Sequence, residues 1–298
     1  MTDRPIHLAL ASDDRGTTGL AVAVWSALRS TARPIHVWVI EDRIPRVAQD
    51  RLVAAWRRAR ADAEITFIPQ SSLPLELPTW WTRSKWPLSS AARFQLAEIL
   101  PAAVGRCIYL DIDVLVGTDL AELFELDLQG RPLGMALNSE MPEFDRAYVG
   151  GLGLDPDRYG NAGVLLIDVD AWRAEHAAKG LIDTGRRLPP DVWFFDQDML
   201  NSYFKDRFLP LEARWNFRDA GVAPDGRIQH FAGSPKPWNI ERSAASNPGL
   251  QAWHAACREV GYSPPKRSRW SHLKQRVSLK VAQIQRRCLT LLRSRHPR

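Results

Sequence analysis

Cysteine is scarce in this 298-residue chain, and the three present, Cys107, Cys257 and Cys288, lie far apart. An odd, scattered set makes neither a disulfide framework nor a cysteine-based zinc site. No run of about 18 apolar residues occurs, so no membrane-spanning helix is expected. The opening MTDRPIHLALASDD has no basic segment followed by a long apolar one. No signal peptide is therefore expected, and the reading is cytoplasmic. Internal repeats and long low-complexity stretches are also missing. Acidic residues are absent from 266–298, where eleven Lys or Arg occur. Taking these from the 40 basic residues of the whole chain leaves 29 against 34 acidic ones. The body is thus mildly acidic, at −5, and the tail strongly basic. Such a body offers no basic groove for nucleic acid.

What is present is ordinary for a soluble globular protein, with 45% hydrophobic and 25% charged residues, and the length suffices for a sizeable core. Tryptophan is the exception, with twelve residues. Its flat apolar face suits a carbohydrate or an interface, and core packing is the plain alternative.

Strand and helix patterns alternate from the start. IHLALAS (6–12), PIHVWVI (34–40) and EITFIP (64–69) read as strands. LAVAVWSALRS (20–30) and VAQDRLVAAWRRAR (47–60) read as helices between them. This order predicts an α/β fold with a parallel sheet of βαβ units. Residues 69–88 form a Pro-rich loop with Trp80, Trp81 and Trp86, long enough to suggest a functional loop. SSAARFQLAEIL (89–100) is predicted as a helix, RCIYL and NAGVLLIDV (161–169) as strands, and DQDMLNSYF (196–204) as the start of a helix. SPPKR (263–267) punctuates the chain, so a domain at 1–262 and a tail at 263–298 are expected.

CIYLDIDVLV (107–116) places Asp111 and Asp113 inside an apolar run. Burying unpaired carboxylates is costly, so partners or an exit from the core are required. Residues i and i+2 of a strand face one side, and at the end of a strand in an open α/β sheet that side meets the ligand crevice. Two carboxylates there suit Mg²⁺ or Mn²⁺, which in turn holds phosphates. A bare D-x-D is a weak signal, since an exposed pair in a turn reads alike; the apolar frame strengthens it. His230, in QHFAGSPKPW, follows a β-like stretch and suits Mn²⁺ as a third ligand, with Lys236 suited to a diphosphate. A structural histidine and a solvated lysine are the bland alternatives. Asp196 and Asp198 also fit as helix N-terminal acids.

YLDIDVLV (109–116), NAGVLLI (161–167), DQDMLN (196–201), RWNF (214–217) and HFAGSPKPW (230–238) occur in one order. With them the chain, from about residue 6 to 240, resembles glycosyltransferase family 8, the retaining GT-A enzymes, and among them the bacterial lipopolysaccharide galactosyltransferases. The resemblance implies a Rossmann-like, mostly parallel sheet flanked by helices. It implies transfer of a hexose, galactose or glucose, from a UDP-sugar to a saccharide or lipid-linked glycan such as lipopolysaccharide. Asp111, Asp113 and His230 would then bind Mn²⁺ or Mg²⁺. The donor would meet Ala11, Asp13, Ile112, Gly233 and Lys236, with Asp13 at the uracil. Arg93 would reach the donor sugar and its phosphates, Asn161 and Asp196 the sugar hydroxyls. Gln197 would lie on the sugar face opposite the departing UDP and, with Asp196, would be catalytic. A weak nucleophile with no adjacent base favours same-face attack through a short-lived ion pair. Arg15 and Gly16 stand where relatives often carry Asn-Tyr, and Gly160 where an aromatic is common, so uracil stacking is lost or supplied elsewhere. A donor- or glycan-binding protein of the same fold without turnover is the alternative.

In the tail, Trp270, Leu273, Val277, Val281, Ile284, Cys288 and Leu291 recur at helical spacing among the basic residues. Such a helix can lie on an anionic membrane, each basic residue contributing about 1 kcal/mol near the surface. A peripheral position on the inner face of the cell membrane is therefore expected. Docking on the domain and nucleic-acid binding are the rival readings, the latter not favoured because it needs no apolar face.

Overall fold

The computed structural model describes residues 4–73, 76–84, 87–240 and 247–263. Nine strands are placed among them: β1 (Ile6–Asp13), β2 (Ile35–Asp42), β3 (Glu64–Pro69), β4 (Arg106–Leu110), β5 (Val114–Val116), β6 (Leu133–Leu137), β7 (Gly160–Asp168), β8 (Phe208–Leu211) and β9 (Ile228–His230). Seven form one sheet in the order β3-β2-β1-β4-β7-β6-β8, and β5 pairs with β9 in a separate ribbon. The strands and helices expected before residue 70 occur where their patterns place them.

The sheet is mostly parallel, with a correction. β7 runs antiparallel to both β4 and β6. Its run GNAGVLLID is almost wholly buried, and a strand covered on both faces looks alike in either direction. The order matters for function. β2 lies on one side of β1 and β4 on the other, so the carboxyl ends of β1 and β4 flank a switch point, where open α/β sheets bind ligands.

Helices cover both faces. Thr17–Ser30, Arg46–Ala59 and Pro248–Glu259 pack one side, burying Leu20, Val24, Trp56 and Trp253. Val169–Ala174, Ala177–Arg187 and Asp196–Phe204 pack the other, burying Trp172, Leu181 and Phe204. The helix expected over 89–100 is instead a 3₁₀ segment, Leu88–Gln95, followed by one α turn, Leu96–Ile99. Arg93 explains the tighter winding. Its Nε donates to the Ser90 carbonyl at 2.9 Å, the acceptor an α-helix would give to the Phe94 N–H.

Tryptophan is chiefly core: Trp56, Trp81, Trp172, Trp215 and Trp253 are fully buried. Trp80 and Trp81 pack with Phe195 at 6.0 and 5.7 Å, and Trp80 Nε1 donates to the Gly185 carbonyl. Packing is therefore their role; Trp86 lies outside the described residues. So does the amphipathic stripe of the basic tail. No helix among the described residues is long and apolar enough to cross a membrane.

Candidate active site

Asp111, Ile112 and Asp113 are the residues between β4 and β5. The three residues make a step between two sheets, which is why an apolar run carries two carboxylates. Leu110 and Val114 on either side are fully buried, while the step opens on the crevice. The helix Thr17–Ser30 holds it closely. A Cβ on Gly19 would meet the Ile112 carbonyl oxygen at 2.8 Å, and one on Gly16 the Ile112 Cδ1 at 2.5 Å. A side chain at Gly16 would therefore require the Ile112 and Ser12 side chains to shift. At Gly160 a Cβ would likewise meet Met135.

The ribbon brings the third group. His230 pairs opposite Val114, and the Phe231 N–H donates to the Asp113 carbonyl at 2.9 Å. His230 Nε2 then lies 3.9 Å from Asp111 Oδ2 and 3.4 Å from Asp113 Oδ1. Candidate ligand atoms of the three residues all fall within 4.8 Å of one another.

The tautomer of His230 follows from a chain of bonds anchored on the backbone. Asn161 Oδ1 accepts the Gly163 N–H at 3.0 Å, so that atom is the oxygen. Asn216 Nδ2 donates to the same oxygen at 2.8 Å. Asn216 Oδ1 therefore faces His230 Nδ1, at 2.8 Å, and Nδ1 carries the proton. In the neutral ring the lone pair is then on Nε2, towards the carboxylates, as a metal ligand requires.

Two cations serve three carboxylates. Lys236 Nζ pairs with Asp113 Oδ2. Arg93, buried, reaches Asp111 at 2.8 Å and Asp196 at 3.1 Å. Its other nitrogen donates to the Ala162 carbonyl at 2.7 Å. Burial opposes the Arg93 charge, but Asp111 and Asp196 outweigh it and keep the guanidinium protonated. Burial alone would also raise Asp113; His230 in its protonated form and Lys236 reverse this and hold it ionised. With His230 in the neutral form that binds a metal, three carboxylates against Arg93 and Lys236 leave the cluster one negative charge in excess. A divalent cation fits this donor set of hard oxygens and one imidazole nitrogen, and the sign then turns in favour of a diphosphate.

Asp196 shares its cation, Arg93, with Asp111. Burial pushes it up to about 6 from the ordinary 3.8, opposed by Arg93 and aided by Asp111. The fold thus prefers it protonated, a stabilisation complete below the ordinary value and lost as pH rises through about 6. Without divalent ions, the protein should gain about 1 kcal/mol relative to Asp196→Asn on going from pH 7.5 to 5. Paired thermal melts at the two pH values check this; parallel pH profiles would contradict it.

Every residue singled out for the site lines one of two chambers. The first, about 390 Å³, is bounded by Ala11, Asp13, Ile112 and Asp113 and walled by Tyr109 and Trp238. The second, about 570 Å³, takes in Asn161, Gln197, His230 and Gly233. Asp111, Asp196 and Lys236 border both, and Arg93 borders the first. Asp13 is already engaged: its oxygens accept the Arg15 and Gly16 N–H groups and the Arg15 guanidinium, at 2.8 to 3.1 Å. Gln197 Oε1 accepts the Ala162 N–H at 3.2 Å. Gly233 has φ +89° and open space around its Cα, so glycine serves the backbone there.

Asp198 sits in the first helical turn, but its carboxylate does more than meet the dipole. It accepts Tyr148 and Tyr159 hydroxyls at 2.7 and 2.6 Å and the Phe194 N–H at 2.9 Å. This staples the turn that presents Asp196 and Gln197. Sequence reading gives no role to Asn216, although RWNF contains it; its partners are 55 and 14 positions away. Tyr109 and Trp238 in the first chamber, and Asn138 and Arg218 in the second, are also new.

A mostly parallel α/β sheet with a carboxylate pair and an imidazole at its switch point defines the GT-A architecture of glycosyltransferases. The glycosyl transferase family 8 model matches residues 7–241, and the chain belongs to that family. A Haemophilus influenzae relative is 24% identical over 246 residues, spanning 78% of this chain and 73% of that one. Glycosyltransferase GlyE of Streptococcus pneumoniae is 34% identical over 150 residues, 45% of this chain and 34% of GlyE. Thus the chain spans most of the first relative and about a third of the second. Among solved structures, galactosyltransferase LgtC, in complex with donor and acceptor sugar analogs, superposes with a TM-score of 0.71 at 24% identity. The match covers 87% of this chain and 98% of LgtC.

Proposed function

We propose that this protein is a metal-dependent, retaining glycosyltransferase that moves a hexose, galactose or glucose, from a UDP-sugar to a saccharide acceptor. The observation that carries the reading is the junction of two chambers at Asp111, Asp196 and Lys236. The first chamber suits the nucleotide and the second the sugar and acceptor, so the sugar–phosphate bond would lie where they meet. Asp111, Asp113 and His230 would hold Mn²⁺ or Mg²⁺, which when bound neutralises charge growing on the leaving diphosphate. Lys236 adds a second positive charge there, with Gly233 lending backbone at its side. Arg93 is held rigid by Asp111 and Asp196 and would orient the donor sugar and phosphates. Asp196 and Asn161 would take sugar hydroxyls.

Gln197 offers a neutral amide oxygen that already accepts one N–H. Tyr159 nearby is held neutral by burial, so no base activates that oxygen. It suits stabilising a positive sugar ring better than forming a bond to it, which favours attack through an ion pair on the face that the diphosphate leaves. LgtC is named a galactosyltransferase, which supports a hexose donor. Domain 1–262 would carry this chemistry, and tail 263–298 would hold it to the anionic inner face of the membrane, near a lipid-linked glycan. Screening UDP-sugars with Mn²⁺ and EDTA, reading UDP release, tests the proposal; release indifferent to EDTA, or none from any UDP-hexose, would overturn it.

Asn216 tests the metal part. Asn216→Ala should weaken Mn²⁺ binding by about 10–100-fold, because His230 loses the group that fixes its tautomer and ring. Calorimetric titration checks this, and unchanged affinity would count against the role.

A further inference from the structure

The far wall of the second chamber carries Asn138, Glu140, Trp193 and Arg218, none needed for the donor chemistry. Arg218 is half-buried, and among the described residues its guanidinium makes no hydrogen bond or ion pair. Burial pushes its pKa down, and exposed Glu140 offsets this only by a distant attraction. Other partly buried arginines are satisfied. Arg106 donates to the Phe124 and Leu126 carbonyls, and Arg173 to those of Ala97 and Val104. Trp193, stacked on Tyr148 at 4.0 Å and 8°, closes the same wall. An unpaired guanidinium on a cavity wall points to a ligand that satisfies it.

We infer that the acceptor is an anionic saccharide, whose carboxylate or phosphate meets Arg218. This rests on reading the second chamber as the acceptor side. Neutral hydroxyls would fill the donors of a guanidinium but leave its charge uncompensated away from water. A carboxylate or phosphate matches both its fork geometry and its sign. Arg218 would thus set acceptor specificity, without touching the reacting bond.

The test uses the full-length protein with Mn²⁺ and UDP. Methyl glucoside, methyl glucuronide and glucose 6-phosphate are compared as ligands by saturation-transfer NMR and calorimetry, then as acceptors. Wild type should bind an anionic sugar roughly tenfold or more tightly than the neutral one. Arg218→Gln should erase that ratio, and Arg218→Lys should keep most of it. Equal binding of neutral and anionic sugars by wild type would overturn the inference, whatever the variants do. So would a preference that survives Arg218→Gln. Because binding is read without turnover, these outcomes are separate from failure of UDP release, which would count against the transferase reading alone.

Discussion

Asp113→Asn should lower Mn²⁺-dependent turnover by about 10³-fold while leaving the protein folded. Asparagine keeps the shape of the side chain and removes its charge. That charge is the one Lys236 and His230 both address, and a divalent ion in this cluster would lose an anionic ligand. Removing one preorganised electrostatic partner from an active site commonly costs 10²–10³ in rate, and loss of metal affinity adds to it. The fold should suffer less, because Lys236 is 35% exposed and can turn to solvent. Turnover at saturating and limiting Mn²⁺, with a melt alongside, separates the two effects. Activity within tenfold of wild type would refute the metal cluster.

The second large effect is expected at Gly163, a residue with no chemistry of its own. A Cβ there would lie 2.2, 2.5 and 2.9 Å from Cε1, Nδ1 and Nε2 of His230. The imidazole packs face-on against the β7 backbone, and Asn216 holds its Nδ1, so it cannot simply tilt away. Gly163→Ala should cost about 1–3 kcal/mol of stability by overpacking and weaken Mn²⁺ at least as much as losing Asn216. The double variant decides the cause. His230→Ala removes the clashing ring, so Gly163→Ala with His230→Ala should recover most of the lost stability, a non-additivity expected only of direct contact. Additive losses would show that the glycine matters for another reason.

The strands and helices before residue 70 were legible because apolar periodicity reports them directly. The carboxylate pair and His230 were legible through ordered motifs, since the long stretch of chain between Asp113 and His230 carries no spacing rule of its own. Strand direction was not legible: the AGVLLI core of β7 is buried on both faces, and such a run reads alike in either direction. That IYL and VLV belong to different sheets was not legible either, since both are equally apolar. Asn216 and Arg218 were missed because their meaning lies in distant partners, or in the want of them.

Phe195 precedes Asp196 with φ +47°, a backbone that side chains with a Cβ adopt only under constraint, at roughly 1–3 kcal/mol. Its ring is gripped by Trp80 and Trp81, while Asp198 ties down the residue before it. The indoles of a loop far along the chain thereby hold a cocked hinge beside the reacting sugar. Shaving either one should be felt as a slackened catalytic turn, even though neither need ever touch a substrate.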